Sequence, residues 1–341
     1  MTTKQTRLIK KVLEREYSDV EYLLITGADI DEQNEQRLTP LIAAAAQGDF
    51  PMVSLLLQFS PALNKTNRFG GTALLPSSEK GYLNVVDALL EAGSDVNHQN
   101  DLGWSALMEA VILGDGGFLY QEVVHSLLRK GADSQLRDFE NKSALDYAKE
   151  TKSDAIYTLL TSKEMVLDSK FSRKGERDCH HESLDLDNLS LRDYFYLGYE
   201  SEGKGDTEKG LEYYSKGAEK DPQFYYYISQ VYKQLGDVDN AKLALKKGMA
   251  QTETDFFTYQ LSNLLRDTGN HVEALMVMAE LLENKPTRVD YLFHQSNSLI
   301  ALDRLKEAKE SMVKANALMP QNHLFKQQLT RIEQMKQERK A

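Results

Sequence analysis

Residues 39–57 read TPLIAAAAQGDFPMVSLLL, and this stretch decides the fold expected for the first half of the chain. The Thr39 hydroxyl can accept hydrogen bonds from the free backbone N–H groups with which a helix begins. Four alanines follow and leave room for a close neighbour, and Gly48 stands where the chain has to turn. After the turn, Val53 and Leu56 recur at helical spacing and form an apolar face. The stretch therefore predicts two short helices joined by a tight turn.

This stretch is one copy of a unit that recurs along the first half. Two motifs mark it, a hydroxyl residue that begins a Thr-Pro-Leu or Ser-Ala-Leu type triplet and a Leu-Leu pair. Both recur at intervals of 33, 33 and 38 residues. The triplets begin at Thr39, Thr72, Ser105 and Ser143, each of which we expect to cap the first helix of its unit with its hydroxyl, and the pairs begin at Leu23, Leu56, Leu89 and Leu127. Two independent markers that share one phase indicate tandem repeats.

Together with YLNVVDALLEAGSDVN at residues 82–97, these segments resemble the ankyrin repeat, whose period is about 33 residues. The resemblance implies an ankyrin-repeat domain over residues 1–162, with about five units of which the first and the last are atypical. Each unit of this family has two helices and a short β-hairpin finger. The sequence departs from the family pattern at Pro76, which stands where an alanine is usual, and near Gly114, where extra residues lengthen a turn.

The second half changes its repeat motif. Small residues recur at Gly198, Ser229, Ser262 and Ser296, and twelve residues after each stands a second small residue, Gly210, Ala241, Ala274 and Ala308. Small side chains at both markers allow the two helices of a hairpin to cross closely. The pattern resembles tetratricopeptide (TPR) repeats, which implies a domain over residues 190–341 with about four helical hairpins and a C-terminal capping helix. The fold class expected for the chain is therefore all-α, an α-solenoid of ankyrin repeats followed by TPR hairpins.

The segment between the two arrays, residues 163–189, is polar and lacks an apolar period, so we interpret it as a linker. It contains the one local cluster of nucleophile or metal-ligand type, Asp178-Cys179-His180-His181. Zinc normally takes four ligands, and no second Cys/His pair lies at a suitable spacing. The sequence contains no glycine-rich phosphate loop and no catalytic constellation. We therefore expect no catalytic residue, no metal and no cofactor.

The net charge of −11 argues against nucleic-acid binding. Residues 1–160 carry 15 basic and 23 acidic side chains, a balance of −8, and residues 161–341 carry the remaining 26 and 29, a balance of −3. Neither half would neutralise a run of phosphates. No apolar run approaches the roughly 20 residues of a membrane helix, and the basic N-terminus lacks the apolar stretch of a secretory signal. Because the chain has a single cysteine, we expect it in a reducing compartment, the cytoplasm.

The TPR half offers the first candidate partner surface. In this family the first helix of each hairpin lines a concave groove, with groove residues at fixed offsets from the first small residue. Three residues before that marker stand aromatic residues, which are Phe195, Tyr226, Tyr259 and Phe293. One residue after it stand hydrogen-bonding side chains, which are Tyr199, Gln230, Asn263 and Asn297. The pattern predicts an aromatic ladder beside a polar row that holds a segment of another protein. The alternative is that the rings only pack between neighbouring first helices.

The ankyrin fingers offer the second candidate surface. Four apolar residues fall at finger positions that commonly contact partners in the family, namely Phe69, Leu102, Trp104 and Phe139. Trp104 is the only tryptophan of the chain, and it either contacts a partner or covers the neighbouring finger.

The two arrays predict a non-enzymatic adaptor or scaffold that binds partner polypeptides in the TPR groove and on the ankyrin fingers. The alternative is a regulator or effector that inhibits or modulates one target protein. The Lys and Asn clamp with which chaperone-binding relatives hold a C-terminal carboxylate is absent, because Phe195, Tyr199 and Tyr227 stand at its positions. Self-association through the edges of the solenoid is a further option.

Overall fold

The computed structural model describes residues 7–151, 153–162, 189–320 and 322–339. The chain divides into two compact units, Met1–Met165 and Val166–Ala341. The regular elements in the described ranges are all α-helices, as expected for an all-α solenoid. The expected linker lies outside these ranges except for Leu189.

The first unit is a two-layer stack of short helices. These are α1 (Arg7–Leu13), α2 (Tyr17–Ile25), α3 (Pro40–Gln47), α4 (Phe50–Leu57), α5 (Leu74–Glu79), α6 (Leu83–Glu91), α7 (Ala106–Leu113), α8 (Phe118–Arg129), α9 (Ala144–Glu150) and α10 (Asp154–Ser162). The odd-numbered helices pack on one another in one layer and the even-numbered helices in the other. Val53, Leu56, Val86 and Leu89 are fully buried, so the apolar positions predicted from the sequence form the core of the stack.

Three of the four predicted helix caps are present. The Thr39 hydroxyl accepts a hydrogen bond from the Ile42 N–H at 3.1 Å, Ser105 caps α7 in the same way, and Ser143 forms a capping box with Asp146. The prediction is wrong at Thr72, whose hydroxyl is buried without a partner. There the Leu75 N–H donates to the Thr72 carbonyl instead, and α5 begins only at Leu74.

The fingers of the first unit are closed mainly by side chains. In the described residues their β-pairing is limited to two isolated bridges, Gln99 with Ser105 and Arg137 with Ser143. At each finger tip, one side-chain oxygen accepts hydrogen bonds from the backbone N–H groups two and four residues further on. The residues that do so are Asn34, Asn67, Asn100 and Asp138. These loops on Asn and Asp replace most of a β-ladder, because the side chain satisfies backbone donors locally.

The second unit is a row of helical hairpins. Its helices are α11 (Leu191–Gly203), α12 (Thr207–Ala218), α13 (Phe224–Gln234), α14 (Val238–Met249), α15 (Asp255–Asp267), α16 (His271–Asn284), α17 (Val289–Ala301), α18 (Leu305–Leu318) and α19 (His323–Glu338). Each helix packs against the next one along the chain. The first helices of the hairpins are α11, α13, α15 and α17, and α19 closes the row against α18 with Phe325 and Ile332 fully buried.

Close contacts between aromatic rings and glycines set the spacing of these hairpins. A Cβ atom on Gly198 of α11 would lie 2.3 Å from the Tyr214 ring of α12. A Cβ atom on Gly217 would lie equally close to Phe224, the first residue of α13. The close crossing predicted at the small marker is therefore confirmed at Gly198, where only the absence of a side chain leaves room for the tyrosine.

Candidate partner-binding surfaces

The four predicted ladder rings of the second unit are buried. Their exposed fractions are 1% for Phe195, 0% for Tyr226, 2% for Tyr259 and 6% for Phe293. Each ring contacts an aromatic ring on the next first helix, or on α19 in the last case. The centroid distances are 5.1 Å for Phe195–Tyr227, 4.9 Å for Tyr226–Phe256, 5.7 Å for Tyr259–Tyr291 and 6.2 Å for Phe293–Phe325.

The expectation of an open aromatic ladder is corrected by this packing. The position three residues before the small marker faces the neighbouring first helix, and that helix supplies an aromatic ring of its own. Pairs of rings at these separations gain both buried area and favourable ring geometry. The ladder residues therefore hold adjacent hairpins together, which is the alternative that the sequence left open.

The predicted polar row is divided between exposed and buried positions. Tyr199, Gln230 and Asn297 are partly exposed, whereas Asn263 is 4% exposed. Tyr199 packs on Phe195 with a centroid distance of 5.8 Å, and the Asn297 side-chain oxygen accepts a hydrogen bond of 2.9 Å from Gln328 of α19. The partly exposed side chains on the first helices therefore belong to the polar row, whereas the four ladder rings are buried.

A polar cluster surrounds Asn263 on α15. The Arg266 guanidinium donates to the Asn263 side-chain oxygen through Nη2 and contacts His294 Nδ1 of α17 through Nη1. The other ring nitrogen of His294 lies 3.3 Å from the Tyr259 hydroxyl. Because arginine has only donors, its contacts identify the Asn263 atom beside it as the oxygen and His294 Nδ1 as an acceptor.

Besides the Ser262 hydroxyl, three side-chain nitrogen donors of this helix lack a hydrogen-bond partner. They are Nε2 of Gln260, Nδ2 of Asn263 and Nε of Arg266, and each is buried. The three residues follow one another at intervals of three along α15, so they lie along one side of the helix. We refer to Gln260, Asn263 and Arg266 as the α15 donor row. A buried amide donor without a partner costs about 1–3 kcal/mol, so such atoms are uncommon unless something binds them.

The charge of Arg266 is not balanced within the described residues, where no carboxylate pairs with it. Its neighbour Asp267 pairs with Lys233 at 3.0 Å, Asp255 at the start of α15 pairs with Lys285, and Asp290 of α17 pairs with Arg288. The pKa of His271, at the start of α16, is lowered by burial and is lowered further by the positive charge of Arg266.

Sequence reasoning identified Asn263 and missed Gln260, Arg266 and His294. Gln260 and Arg266 stand three residues before and after Asn263, and residues with this spacing lie on one face of a helix. The sequence could therefore have predicted that these three polar side chains lie together. His294 lies on the next first helix, and its contact with Arg266 depends on how the two helices pack.

A further polar pair, partly buried, lies in the first TPR-like hairpin. The Tyr214 hydroxyl of α12 donates a hydrogen bond to the Glu202 carboxylate of α11. Removal of this carboxylate from water raises the pKa of Glu202 to about 7, although the hydrogen bond from Tyr214 opposes the shift. Neither residue belongs to the predicted polar row.

Trp104 connects two fingers of the first unit. It is 7% exposed, and its indole N–H donates to Oδ2 of Asp138 on the next finger at 3.1 Å. The Tyr147 hydroxyl donates to the same oxygen at 2.6 Å, and the two rings meet edge-on at 6.5 Å. Of the two roles considered for Trp104, the structure supports the one in which it covers the neighbouring finger.

The other predicted finger residues differ in exposure. Phe139 is 66% exposed, while Phe69 and Leu102 are partly exposed. The Arg68 guanidinium lies 4.5 Å from the centre of the Phe69 ring, a cation–π distance. Phe139 is therefore the finger residue with most of its apolar surface in solvent.

Two further properties of the described residues concern metal-ligand groups and helices that could cross a membrane. No group of three or more His, Cys, Asp or Glu side chains among them could hold a metal ion. The cluster at Cys179, His180 and His181 lies outside the described residues. No helix within the described ranges is long and apolar enough to cross a membrane.

The comparisons with known proteins recover both repeat types. Residues 9–100 and 78–170 match the family model described as ankyrin repeats (3 copies), and residues 222–251 match the model described as tetratricopeptide repeat. The crystal structure of EF0377, an ankyrin repeat protein, is 38% identical with a TM-score of 0.46, and the match covers 47% of this chain and 82% of that one. An ankyrin repeat domain from Acinetobacter baumannii AYE is 36% identical with a TM-score of 0.46, and this match covers 48% and 83% of the two chains. The comparison with curated proteins gave no match.

Proposed function

We propose that this chain, which belongs to the ankyrin-repeat proteins and carries a tetratricopeptide repeat in its second half, is an adaptor or scaffold that binds partner polypeptides. Proteins built from these repeats act in protein–protein interaction, because stacked repeats expose long continuous surfaces. In this proposal the chain has no enzymatic activity, binds no cofactor and acts in the cytoplasm.

The observation that carries the proposal is the polar row on the first helices of the second unit, of which Tyr199, Gln230 and Asn297 are partly exposed. These side chains offer a polypeptide that approaches from solvent groups with which it can form hydrogen bonds. The donors of the α15 donor row are buried behind this surface and do not themselves contact solvent. The buried aromatic pairs beneath the polar row would keep that surface rigid, which limits the entropy lost on binding.

The ankyrin fingers supply the second proposed contact. Phe139 presents an exposed aromatic ring on the last finger, and Phe69 and Leu102 present part of their apolar surface on two earlier ones. Aromatic side chains bury a large area with few rotatable bonds, so they often anchor interfaces. An adaptor with one partner per unit would use the polar row and these fingers at the same time.

Affinity capture from a lysate of the source cells tests the proposal. The wild-type chain would be compared with a groove variant, Tyr199→Ala/Gln230→Ala/Arg266→Gln, and a finger variant, Phe69→Ala/Leu102→Ala/Phe139→Ala. Met276→Ala is the matched control, because Met276 is 71% exposed on α16, outside both surfaces. Circular dichroism melting would establish that all four proteins are folded.

We expect a protein that wild type and the control capture and that one surface variant loses. Its purified form should then bind the wild-type chain directly. Loss of different proteins from the two surface variants supports an adaptor with two partners. Loss of one protein whose own activity changes on binding supports the alternative, a regulator of a single target. Equal capture by all four chains would exclude both surfaces as binding sites.

A further inference from the structure

The outer surface of α16 is apolar at positions that point into solvent. On the second helix of each hairpin, the residues two before and two, five and nine after the second small residue of the repeat are exposed. On α16 they are Val272, Met276, Ala279 and Glu283, of which Val272 is 63% and Met276 is 71% exposed. We refer to Val272, Met276 and Ala279 as the α16 stripe.

The corresponding positions of the other second helices are more polar. On α12 they are Glu208, Glu212, Ser215 and Glu219. On α14 and α18 each set contains one large apolar side chain, Leu243 and Val313 respectively. Among the described second helices of this unit, α16 alone has two large apolar side chains one turn apart in the outer row. Exposed apolar surface bordered by charged residues is typical of a contact surface.

The spacing of the stripe suits a second helix. Val272, Met276, Ala279 and Glu283 stand four, three and four residues apart, the spacing with which two helices pack side by side along their length. If two copies of α16 pair antiparallel about a centre between Met276 and Ala279, each methionine lies opposite the alanine of the other copy. A large side chain then meets a small one on both sides of the centre, so the helices can approach closely.

The charges at the two ends of α16 favour this antiparallel pairing. Beside its first half, Lys242 and Lys246 of α14 contact Glu273 at 2.7 Å and 3.6 Å. Its second half carries the exposed Glu280 and Glu283, and Glu280 lies two turns after Glu273, on the side that faces α14. Antiparallel copies would bring Glu280 of one copy towards the lysines of the other. Parallel copies would place the acidic ends against each other, which is unfavourable.

From the α16 stripe and these charges we infer that two copies of this chain associate through their α16 helices, antiparallel about a twofold axis. A twofold dimer requires a surface that is complementary to itself. The α16 surface meets this requirement in both charge and side-chain size, which a surface for an unrelated protein would not need. The inference goes beyond the proposed function, since the stripe lies on a second helix, outside the polar row and the fingers.

The size of the contact predicts a weak dimer. The helix has 14 residues, so it is about 21 Å long at a rise of 1.5 Å per residue. One pair of helices of this length buries an area at or below the lower end of stable interfaces, which is about 1,200 Å². We therefore expect a Kd for the dimer on the order of 10–100 µM.

Sedimentation velocity of the full chain, from about 1 to about 300 µM so that the expected Kd is bracketed, tests the inference. We expect the weight-average sedimentation coefficient to rise from that of a monomer towards that of a dimer. Met276→Glu would bury a charge at the centre of the contact, so it should weaken association at least about tenfold. Leu235→Glu is the matched control, because Leu235 is 58% exposed at the end of α13, away from the stripe.

Two results of this experiment would overturn the inference. One is a chain that stays monomeric at every concentration, which would leave the stripe to a helix of a different protein. The other is a dimer that Met276→Glu and Leu235→Glu form as readily as wild type, which would place the contact elsewhere on the chain. Since Met276 is exposed, we expect Met276→Glu to melt like wild type in circular dichroism.

A charge exchange tests the antiparallel arrangement. Glu280→Lys alone and Lys246→Glu alone place like charges opposite each other, so each variant should dimerise several-fold more weakly than wild type. The Lys246 side chain is 55% exposed, and Glu273 keeps its contact with Lys242, so both variants should fold. An equal mixture of the two variants should recover association, because one copy of each presents opposite charges at both ends of the contact. A mixture that associates no more tightly than either variant alone would contradict the antiparallel dimer.

Partner binding and dimer formation can fail separately. The polar row lies on the first helices and the fingers lie in the first unit, so neither includes the stripe. Met276→Ala therefore remains a control for both partner surfaces in the capture experiment. A chain that stays monomeric overturns the dimer alone, and the groove and finger variants then still judge the proposed binding of partners.

Discussion

The fingers of the first unit and the α15 donor row of the second unit use similar polar side chains in opposite ways. Asn34, Asn67 and Asn100 each accept two backbone hydrogen bonds, so their oxygens are occupied within their own loops. Gln260 and Asn263 are more deeply buried than Asn67 and Asn100, yet each has a side-chain amide nitrogen without a partner. The difference shows that similar amide side chains can have their hydrogen-bonding capacity used within the fold at one place and left unused at another.

The same comparison holds for the large aromatic residues. In the first unit, Trp104 uses its polar atom to join two fingers through Asp138. In the second unit, Phe195, Tyr226 and their partners join helices through ring-to-ring contacts. Both sets looked suitable for partner contacts in the sequence, and in both the structure has placed the rings in the packing between repeats.

The largest expected effect is that of Trp104→Ala on the first unit. The change removes a buried ring and leaves Oδ2 of Asp138 without its indole donor, so we expect a loss of about 3–5 kcal/mol in the free energy of unfolding. Urea denaturation followed by far-UV circular dichroism would measure it, as a lower midpoint for the first unit. Phe139→Ala on the adjacent finger is the control, and because its ring is exposed we expect a change within about 0.5 kcal/mol. Similar effects of the two variants would contradict the role of Trp104 as a connection between fingers.

A smaller effect, confined to the second unit, is expected from Gly198→Ala. The added methyl group would lie 2.3 Å from the Tyr214 ring, so α11 and α12 would have to separate. Overpacking of this kind costs about 1–3 kcal/mol. Gly203→Ala, at the end of the same helix with no atom within 4 Å of the added methyl, should be neutral or stabilising by up to about 1 kcal/mol. Thermal melts of both variants beside wild type would test the pair, and destabilisation by Gly203→Ala alone would be the opposite of what the packing predicts.

The partly buried Glu202 gives the second unit a pH dependence that can be separated from that of the first. The folded state raises its pKa from an ordinary value near 4.5 to about 7, so the folded protein binds the proton more tightly than the unfolded chain does. This contribution to stability is fully present below about pH 4.5 and is lost as the pH rises towards 7.

Glu202→Gln removes the titration but keeps an acceptor for Tyr214. Relative to wild type, we expect the variant to be more stable at pH 8 than at pH 4.5, by a difference on the order of 2 kcal/mol. Chemical denaturation at the two pH values measures this difference. Glu219→Gln, at an exposed glutamate, should show none of it. A Glu202→Gln variant whose stability relative to wild type is the same at both pH values would refute the assignment.

The smallest effects are expected from the amides with which the comparison began, and they should have opposite signs. Asn67→Ala removes the acceptor for the Phe69 and Gly71 N–H groups and should cost about 1 kcal/mol, like the loss of a helix cap. Gln260→Leu removes a buried donor that has no partner and should be neutral or stabilising by up to about 1 kcal/mol. Urea midpoints of the two variants would decide, and a clear loss of stability in Gln260→Leu would mean that its amide is used within the fold.

Much of the fold could be predicted because its signals repeat. The caps at Thr39, Ser105 and Ser143 follow from the helix starts that the triplets mark, and the close approach at Gly198 follows from the small-residue marker. The missing cap at Thr72 could not be foreseen in this way, because the choice between a side-chain acceptor and the Thr72 carbonyl depends on where α5 begins.

The candidate site was predicted less completely. Asn263 was found by its offset from Ser262, and the spacing of three residues could have added Gln260 and Arg266. The burial of Phe195 and Tyr226 was open in the sequence, since a position on a helix specifies a direction but not the group that fills the space there. Only the packed neighbours Tyr227 and Phe256 show that these rings are enclosed.

The sequence by itself determined the repeat periods, the helical hairpins and the small residues at their crossings, because these depend on contacts between residues close together in the chain. The tertiary structure alone decided which side chains are used up in packing and which donors are left without a partner. The physical reason is that the burial and the hydrogen bonds of a side chain depend on which other residues, often distant in the chain, pack against it. Trp104 and Asn263 are both buried. The indole N–H of Trp104 donates a hydrogen bond to Asp138, which lies 34 residues further along the chain, whereas the side-chain nitrogen of Asn263 has no acceptor.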